Sequence, residues 1–425
     1  MNLVFLLLVS LAYLAGCYEF ITGETTDTHI MQKIAEGMVT SANGAVTLSI
    51  GLVGVMTLFL GLMKIGEEGG LLKIISKVMR PLLQRLFEDV PPNHPAMGAM
   101  VLNLSANALG LANAATPFGI KAMNELNRLN KTPGVATNAM VLFLAINASS
   151  ITLLPTGVIA LRAAAGSADP AGILPTTLFA TAISTCIAIV SAKCLARFFP
   201  IQAAAMIPIA SEESAPSATA DDSNEAYPLW ISYTCILAIL AFIPFTVYFG
   251  KSISPWILPT LMLGLMVFGV VKKVRIYEAF IEGAKEGFQV AVKIVPYLVA
   301  ILVSVEMLKV SGALPAIVNA LSHVTTPLGL PAEALPMALL RPLSGSGAFG
   351  VLASTINDPH IGPDSYVGYL VSTLQGTSET TFYVLAVYFG AVQVKKIRHA
   401  LWAALLSDVA GVVAAVYIVR KLYGD

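Results

Sequence analysis

Long apolar stretches alternate with short polar ones along almost the whole chain, and their lengths predict an all-α protein that crosses a bilayer repeatedly. Runs approaching or exceeding the about 20 residues that a spanning helix needs occupy 2–18, 42–63, 136–161, 171–190, 228–249, 255–271, 290–308, 366–392 and 401–418. This pattern predicts about nine transmembrane helices. Two further runs, 95–117 and 331–355, are rich in small and polar residues and are interrupted by Gly or Pro. They are expected to form re-entrant helical hairpins, which are tolerable only when surrounded by protein. The stretch 71–87 sets Leu, Ile and Val against Lys73, Lys77, Arg80 and Arg85, as an amphipathic helix at the membrane surface does. The stretch 277–292 reads the same way, with Glu278, Glu282, Lys285 and Glu286 as a solvated face.

Two of the apolar runs are broken by polar residues at their centres. Within 366–392 stands Gln375-Gly376-Thr377-Ser378-Glu379-Thr380-Thr381, and within 136–161 stands Asn147-Ala148-Ser149-Ser150-Ile151-Thr152. Such groups are costly in hydrocarbon, where lipid offers no hydrogen-bond partner. Matching breaks in two halves of a membrane protein point to a transport site.

The halves also resemble each other. Ile34-Ala35-Glu36-Gly37 matches Phe280-Ile281-Glu282-Gly283, and Ser76-Lys77-Val78 with Pro81-Leu82 matches Ser322-His323-Val324 with Pro327-Leu328, at one common offset. With small gaps, Leu104–Asn107 meets Leu343–Ser346, and the two polar breaks align. The order of these matches indicates an internal duplication. Between the repeats, 201–227 holds a polar, acidic, Ser- and Ala-rich stretch that cannot bury enough surface to fold alone. The expected organisation is a repeat at 1–200, a cytoplasmic linker at 201–227 and a second repeat at 228–425.

Charge orients the repeats. If the hairpins do not cross, five spans separate Glu36 from Glu282, and an odd number makes the repeats inverted. The N-terminus then lies inside, and most Lys and Arg, including Lys64, Lys73, Lys77, Arg128, Lys272, Lys285 and Lys395, fall on the cytoplasmic side. Arg162, Lys251, Lys309 and Arg420 are left outside, with Ser214 and Asp358 on opposite faces.

Composition narrows the class. The 425 residues are 56% hydrophobic and 12% charged, against about 25% charged in soluble domains. Net charge is zero, and no basic stripe with interleaved aromatics suggests a nucleic-acid partner. The bilayer is the expected surrounding. Cys17, Cys186, Cys194 and Cys235 form no pair at metal spacing, and His29, His94, His323, His360 and His399 are scattered. No metal or cofactor is expected, beyond a coupling H⁺ or Na⁺. Ser344-Gly345-Ser346-Gly347 lacks the full spacing of a nucleophile elbow, so no enzyme is expected. Leu14-Ala15-Gly16-Cys17 imitates a lipoprotein signal, but Met1-Asn2-Leu3 carries no positive charge, so the first run is expected to remain as a helix.

Several longer motifs resemble a known family. Gly61–Ile65, Pro91–Gly98 and Leu111–Met123 resemble spore maturation protein A, whereas Arg341–Gly347 and Gln375–Tyr383 resemble spore maturation protein B. The chain looks like a fusion of the two. The resemblance implies membership of the nucleoside-recognition Gate membrane proteins, a group similar to the repeat cores of concentrative nucleoside transporters and the ferrous-iron permease. It implies a bacterial inner-membrane location and names no solute.

The candidate solute contacts are the polar groups of the hairpins and breaks. In the first half they are Asn103, Ser105, Asn107, Asn113, Asn147, Ser149, Ser150 and Thr152. Asn103 and Asn107, four apart, share one helix face. In the second half they are Arg341, Ser344, Ser346, Thr377, Ser378, Glu379, Thr380 and Thr381. Arg341 is suited to binding an anion or neutralising Glu379; Glu379 is suited to carrying a proton, a cation or a solute. Lys293 and Asp408, closer to interfaces, are expected to reach water, and Glu306 to pair with Lys309. The function expected is coupled transport of a small polar solute, with a passive channel and a non-transporting scaffold as rivals. The many small residues also suit a homo-oligomer.

Overall fold

The computed structural model describes residues 2–22, 29–110, 112–150, 152–200 and 227–424. The expected linker therefore lies almost wholly outside the described residues. These residues form sixteen α-helices and one 3₁₀ turn, and among them there is no strand, only an isolated bridge between Val135 and Lys396. The helices are α1 (Asn2–Thr22), α2 (Ile30–Glu68), α3 (Leu71–Leu86), α4 (Pro95–Ala108), α5 (Ala112–Arg128), α6 (Asn138–Ser149), α7 (Thr156–Ala164) and α8 (Ile173–Leu195). They continue as α9 (Leu229–Val271), α10 (Ile276–Val310), α11 (Ala313–Thr325), α12 (Leu335–Leu340), α13 (Gly345–Ile356), α14 (Tyr366–Thr377), α15 (Thr381–Ala391) and α16 (Ala400–Tyr423). The same succession occurs twice: a long helix, a shorter amphipathic one, a hairpin, a helix in two pieces and a final apolar helix.

Local chemistry sets these boundaries. Gly70, at φ 81°, lets the chain turn from α2 into α3. The two broken helices start alike, on hydroxyl caps: Thr137 Oγ1 accepts from Met140 N (3.2 Å) and Ser365 Oγ from Gly368 N (2.9 Å). Among the described residues, Phe5–Thr22, Ile173–Leu195 and Ala400–Tyr423 are long and apolar enough to cross a membrane by length and composition. They correspond to the expected runs 2–18, 171–190 and 401–418.

Two expectations change. The backbone of α9 is helical through Lys251, where a loop between two spans was expected. Each of the prolines within it, Pro244, Pro255 and Pro259, removes one backbone hydrogen bond, and none obliges the chain to turn. The stretch 277–292 is likewise no separate surface helix, because it is continuous with the following span as α10 and packs along α2. Glycine makes that contact possible. A Cβ on Gly287 would lie 2.6 Å from Met56 O and 2.8 Å from Thr57 Cα, so the two backbones touch.

Equivalent helices pack on each other in antiparallel pairs. Gly37 near the start of α2 lies against Glu306 and Val310 at the end of α10, while Gly61 meets Phe280 near its start. Ser184 Oγ of α8 donates to Ser407 O of α16 (2.9 Å), and His399, just before α16, bonds Ala192 O (3.0 Å) further along α8. The broken helices are also antiparallel and are tied at both ends by an arginine. Arg162 near the end of α7 bonds Pro363 O (2.6 Å) and Asp364 (3.0 Å), just before α14. Arg398, past α15, bonds Ala136 O (3.0 Å) and Asn138 Oδ1 (2.9 Å), where α6 begins. Lys309 pairs with Asp358 (3.4 Å) rather than with Glu306.

The first hairpin, α4 and α5, starts at His94, whose Nδ1 accepts from Ala96 N (3.2 Å). Burial, the largest influence, holds this loop imidazole below its usual range; Glu125 acts in the opposite sense and Arg128 in the same one. A depressed histidine contributes stability that is complete above the unfolded value of about 6.5 and is lost as pH falls through the folded one. Asn is an equally good cap but does not titrate. The thermal midpoint of purified protein is therefore expected to fall more steeply from about pH 7 to 5 in the wild type than in His94→Asn. Parallel curves would refute this.

Candidate functional site

Both breaks expected from the sequence are present, and they meet. The α6–α7 break runs from Ser150 to Pro155, and the α14–α15 break from Ser378 to Thr380. A helix end in apolar surroundings must find partners for its free backbone groups. Here each break supplies part of what the other lacks: Glu379 N donates to Ala148 O across the two halves (2.8 Å). Leu153 N bonds Ala108 O (2.9 Å), and Thr181 Oγ1 from α8 donates to Ser149 O (3.1 Å). Ser150 itself sits at φ 30°, a strained conformation for a residue with a side chain.

Beside the crossing breaks lies a cavity of about 640 Å³. The first half gives it Asn107, Gly110 and the segment from Thr152 to Val158 except Leu153; the second gives Arg341, Gly345, Ser346, Phe349, Gln375, Gly376, Ser378 and Glu379. Met56, Leu60 and Met63 of α2 supply apolar wall, and Lys64, Glu67 and Glu286 are charges on its border. Lys64 is held between Glu67 (3.4 Å) and Glu286 (3.5 Å), with Glu282 at 3.9 Å.

Six of the residues singled out from sequence line this cavity: Asn107, Thr152, Arg341, Ser346, Ser378 and Glu379. Others stand directly behind it. Arg341 is 8% exposed and is fixed by Nε to Gln375 O and by a terminal nitrogen to Thr380 Oγ1, both at 3.1 Å. No ion pair joins it to Glu379 among the described residues. Asn107 Nδ2 donates to Asn147 Oδ1 (2.9 Å), which Tyr388 also approaches (3.4 Å), and Tyr388 in turn accepts from Asn103 (3.2 Å). Asn103 and Asn107 thus face the same network, as their spacing requires.

The remaining candidates are turned away or occupied. Ser105 packs on α3, within 3.2 Å of Ser76 Oγ. Ser149 bonds Thr185 of α8 (3.0 Å), and Ser150 is buried with its hydroxyl near Thr152 (3.5 Å). Ser344 caps α13 through Gly347 N (2.9 Å), Thr377 donates to Thr373 O (2.6 Å), and Thr381 donates to Asp408 (2.6 Å). The side chain of Asn113, like that of Lys293, lies outside the described residues.

Asp408 was expected to reach water and does not. It is 7% exposed, on α16 where that helix faces the end of α14 and the turn that carries Arg341. Gln375, Lys64 and Glu286 were also absent from the candidates. The Gln375 Oε1 is buried without a hydrogen-bond partner beside the cavity, which a polar residue one turn before the break could have signalled. Glu286 and Lys64 find each other across 222 positions of sequence, and no local pattern shows that.

Comparison with known proteins agrees with this layout. The model of the Gate family, described as nucleoside recognition, matches residues 49–165 and 291–395, one block in each half and together more than half of the chain. Spore maturation protein B of Bacillus subtilis (strain 168) is 46% identical over 168 residues, covering 40% of this chain and 93% of that protein. Spore maturation protein A of the same organism is 49% identical over 154 residues, covering 36% of this chain and 79% of its own length. The inner membrane protein YjiG of Escherichia coli (strain K12) is 35% identical over 81 residues, 19% of this chain and 53% of that protein. No solved structure matches. Two Gate blocks in one apolar helical chain, with homology to both spore maturation proteins as a fusion of the two would have, place this membrane protein in the Gate nucleoside-recognition family.

Proposed function

We propose that the protein is a secondary transporter of a small polar solute in the bacterial inner membrane, built as two inverted repeats with the solute site between them. The observation that carries this reading is the cavity of about 640 Å³ bordered by both helix breaks, with Arg341 and Glu379 in its wall. Discontinuous helices that leave backbone ends and polar side chains around a mid-bundle cavity are the usual construction of a transport site. Inversion is supported by the antiparallel broken helices, each tied at its start to the end of the other through Arg162 or Arg398.

The chemistry of the wall suits a solute that both donates and accepts hydrogen bonds. Arg341 keeps guanidinium donors beyond those given to Gln375 and Thr380, and α13 directs its free N–H groups from Gly345 and Ser346. Glu379 and Thr152 offer acceptors on the same cavity. Only its main-chain N–H is committed to the other half, so the Glu379 carboxylate is the group to meet the solute or a coupling H⁺ or Na⁺.

A thermal-shift screen of purified protein against a broad set of polar metabolites identifies the solute, and uptake in proteoliposomes then tests transport. Glu379→Gln is expected to lower gradient-driven uptake at least about tenfold, the loss of roughly 1.4 kcal/mol of coupling. Uptake equal to wild type at every pH would remove Glu379 from the mechanism. Non-saturable flux that ignores the ion gradient would favour a passive pore.

A further inference from the structure

We infer that Asp408 is a second ion-carrying site, one that holds a proton and is linked to the solute cavity through Arg341. This rests on the transport reading for its purpose but not for its test. Asp408 lies inside α16, 7% exposed. Oδ2 accepts from Thr381 Oγ1 (2.6 Å), and Oδ1 is buried without a hydrogen-bond partner. The side chain lines a small space of about 10 Å³, room for a single water-sized group, together with Arg341, Thr377 and Ser378.

A buried carboxylate with one unsatisfied oxygen is expensive as an anion unless a cation faces it. Among the described residues Arg341 is the one cation lining this space, and it also lines the solute cavity, with Glu379. Arg341 therefore borders two spaces, each with one carboxylate in its wall, while its hydrogen bonds go to Gln375 O and Thr380 Oγ1. Other surrounding elements contribute no competing charge. The α8 helix presents the Ser184 hydroxyl, while its Cys186, Cys194 and Lys193 are exposed, and α6 has no ionisable side chain. Tyr388 of α15 is engaged with Asn103 and Asn147, and Tyr369 of α14 is at the distant Arg162 clamp.

The consequence is a linkage. A solute that accepts from Arg341 draws the guanidinium toward the cavity and leaves Asp408 with less compensation, which favours uptake of a proton there. By reciprocity, a proton on Asp408 releases Arg341 for the solute. Solute and proton then bind together without touching, separated by the arginine.

Infrared difference spectra of the full-length protein in detergent, titrated across about pH 4–9, test this without any solute, because a protonated carboxyl has its own carbonyl band. The wild type is expected to show a titrating band that Asp408→Asn abolishes and Glu379→Gln keeps. In Arg341→Gln the midpoint of that band is expected to move to higher pH by about one unit or more, for loss of the neighbouring cation. Thr381→Val, which removes the one hydrogen bond, is expected to change the frequency of the same band, and it carries the assignment if Asp408→Asn does not fold. A titration unaltered by Asp408→Asn or, where that variant does not fold, a band frequency unaltered by Thr381→Val, would overturn the assignment. A midpoint unmoved by Arg341→Gln would overturn the linkage. A band behaving as expected in a protein that moves no solute would leave the site standing and remove the transport reading.

Discussion

Arg162→Ala is expected to destabilise the protein by about 3–5 kcal/mol, the range found when one partner of a buried polar assembly is removed. Arg162 is fully buried, at 0% exposure. Its guanidinium donates to Pro363 O (2.6 Å), Asp364 Oδ1 (3.0 Å), Asp169 O (3.1 Å), Ser167 Oγ (3.2 Å) and Ser372 Oγ (3.3 Å). It also lies over the ring of Tyr369 at 4.2 Å, and Tyr369 stacks on Tyr423 at 3.7 Å. Alanine would take from Pro363 O its donor, leave Asp169 O with only the longer bond from Gly172 N (3.3 Å), open a void beneath the tyrosine pair and free the loop before α14. The Asp364 carboxylate, 36% exposed, can turn to water, so the ion pair itself is the smaller part of the loss. Arg162→Lys should recover less than half of it, because an ammonium cannot supply a planar fork to five acceptors. Unfolding monitored in detergent checks both, and a loss below about 1 kcal/mol in Arg162→Ala, the worth of one ordinary hydrogen bond, would show that the assembly is not cooperative.

Gly287→Val is expected to cost about 3 kcal/mol, toward the upper end of overpacking penalties. The first added carbon would sit 2.6 Å from Met56 O and 2.9 Å from Met56 C, and neither belongs to a flexible side chain that could swing away. The relief available is separation of α10 from α2, which also pulls Glu286 from Lys64 at the border of the cavity. Gly54→Ala provides the control on the facing helix, α2, since nothing lies within 4 Å of the added carbon. That change should be neutral or slightly stabilising through helix propensity. Equal thermal midpoints for the two variants would mean that the helices yield at little cost.

How much of this arrangement the sequence discloses depends on whether a residue's meaning is local. The breaks at Ser150 and Ser378 are legible because polar groups inside an apolar run have to be accommodated wherever the run goes. The hairpins are legible from their Gly and Pro, and the common network of Asn103 and Asn107 from their i,i+4 spacing. The stretch 277–292 is misread for a physical reason. A polar stripe looks the same whether a helix lies on a membrane or borders a cavity within a bundle. The distinguishing signal is Gly283 and Gly287, four apart, which mark a face that another backbone touches. Asp408 is misjudged because its environment is made by Thr381 and Arg341, distant in sequence, and position within an apolar run does not reveal them. Among the polar residues of the breaks, orientation is likewise non-local: Ser149 is claimed by α8 and Thr381 by α16, and what remains for the cavity is decided by packing.

Tyr388 carries a wider consequence. Its hydroxyl, from the second half, rests directly over Gly119 of the first, where any side chain would collide with it, and there it meets Asn103 and Asn147. Each half is therefore incomplete by itself, in the manner of subunits that fold only against a partner. Two free polypeptides of this kind would have to meet at cellular abundance. Joining them in one chain makes the encounter intramolecular, at an effective concentration that can reach the order of millimolar. Fusion thus fixes a one-to-one stoichiometry and ties together the inheritance of residues on the two sides: a change at Gly119 can be tolerated only alongside one at Tyr388.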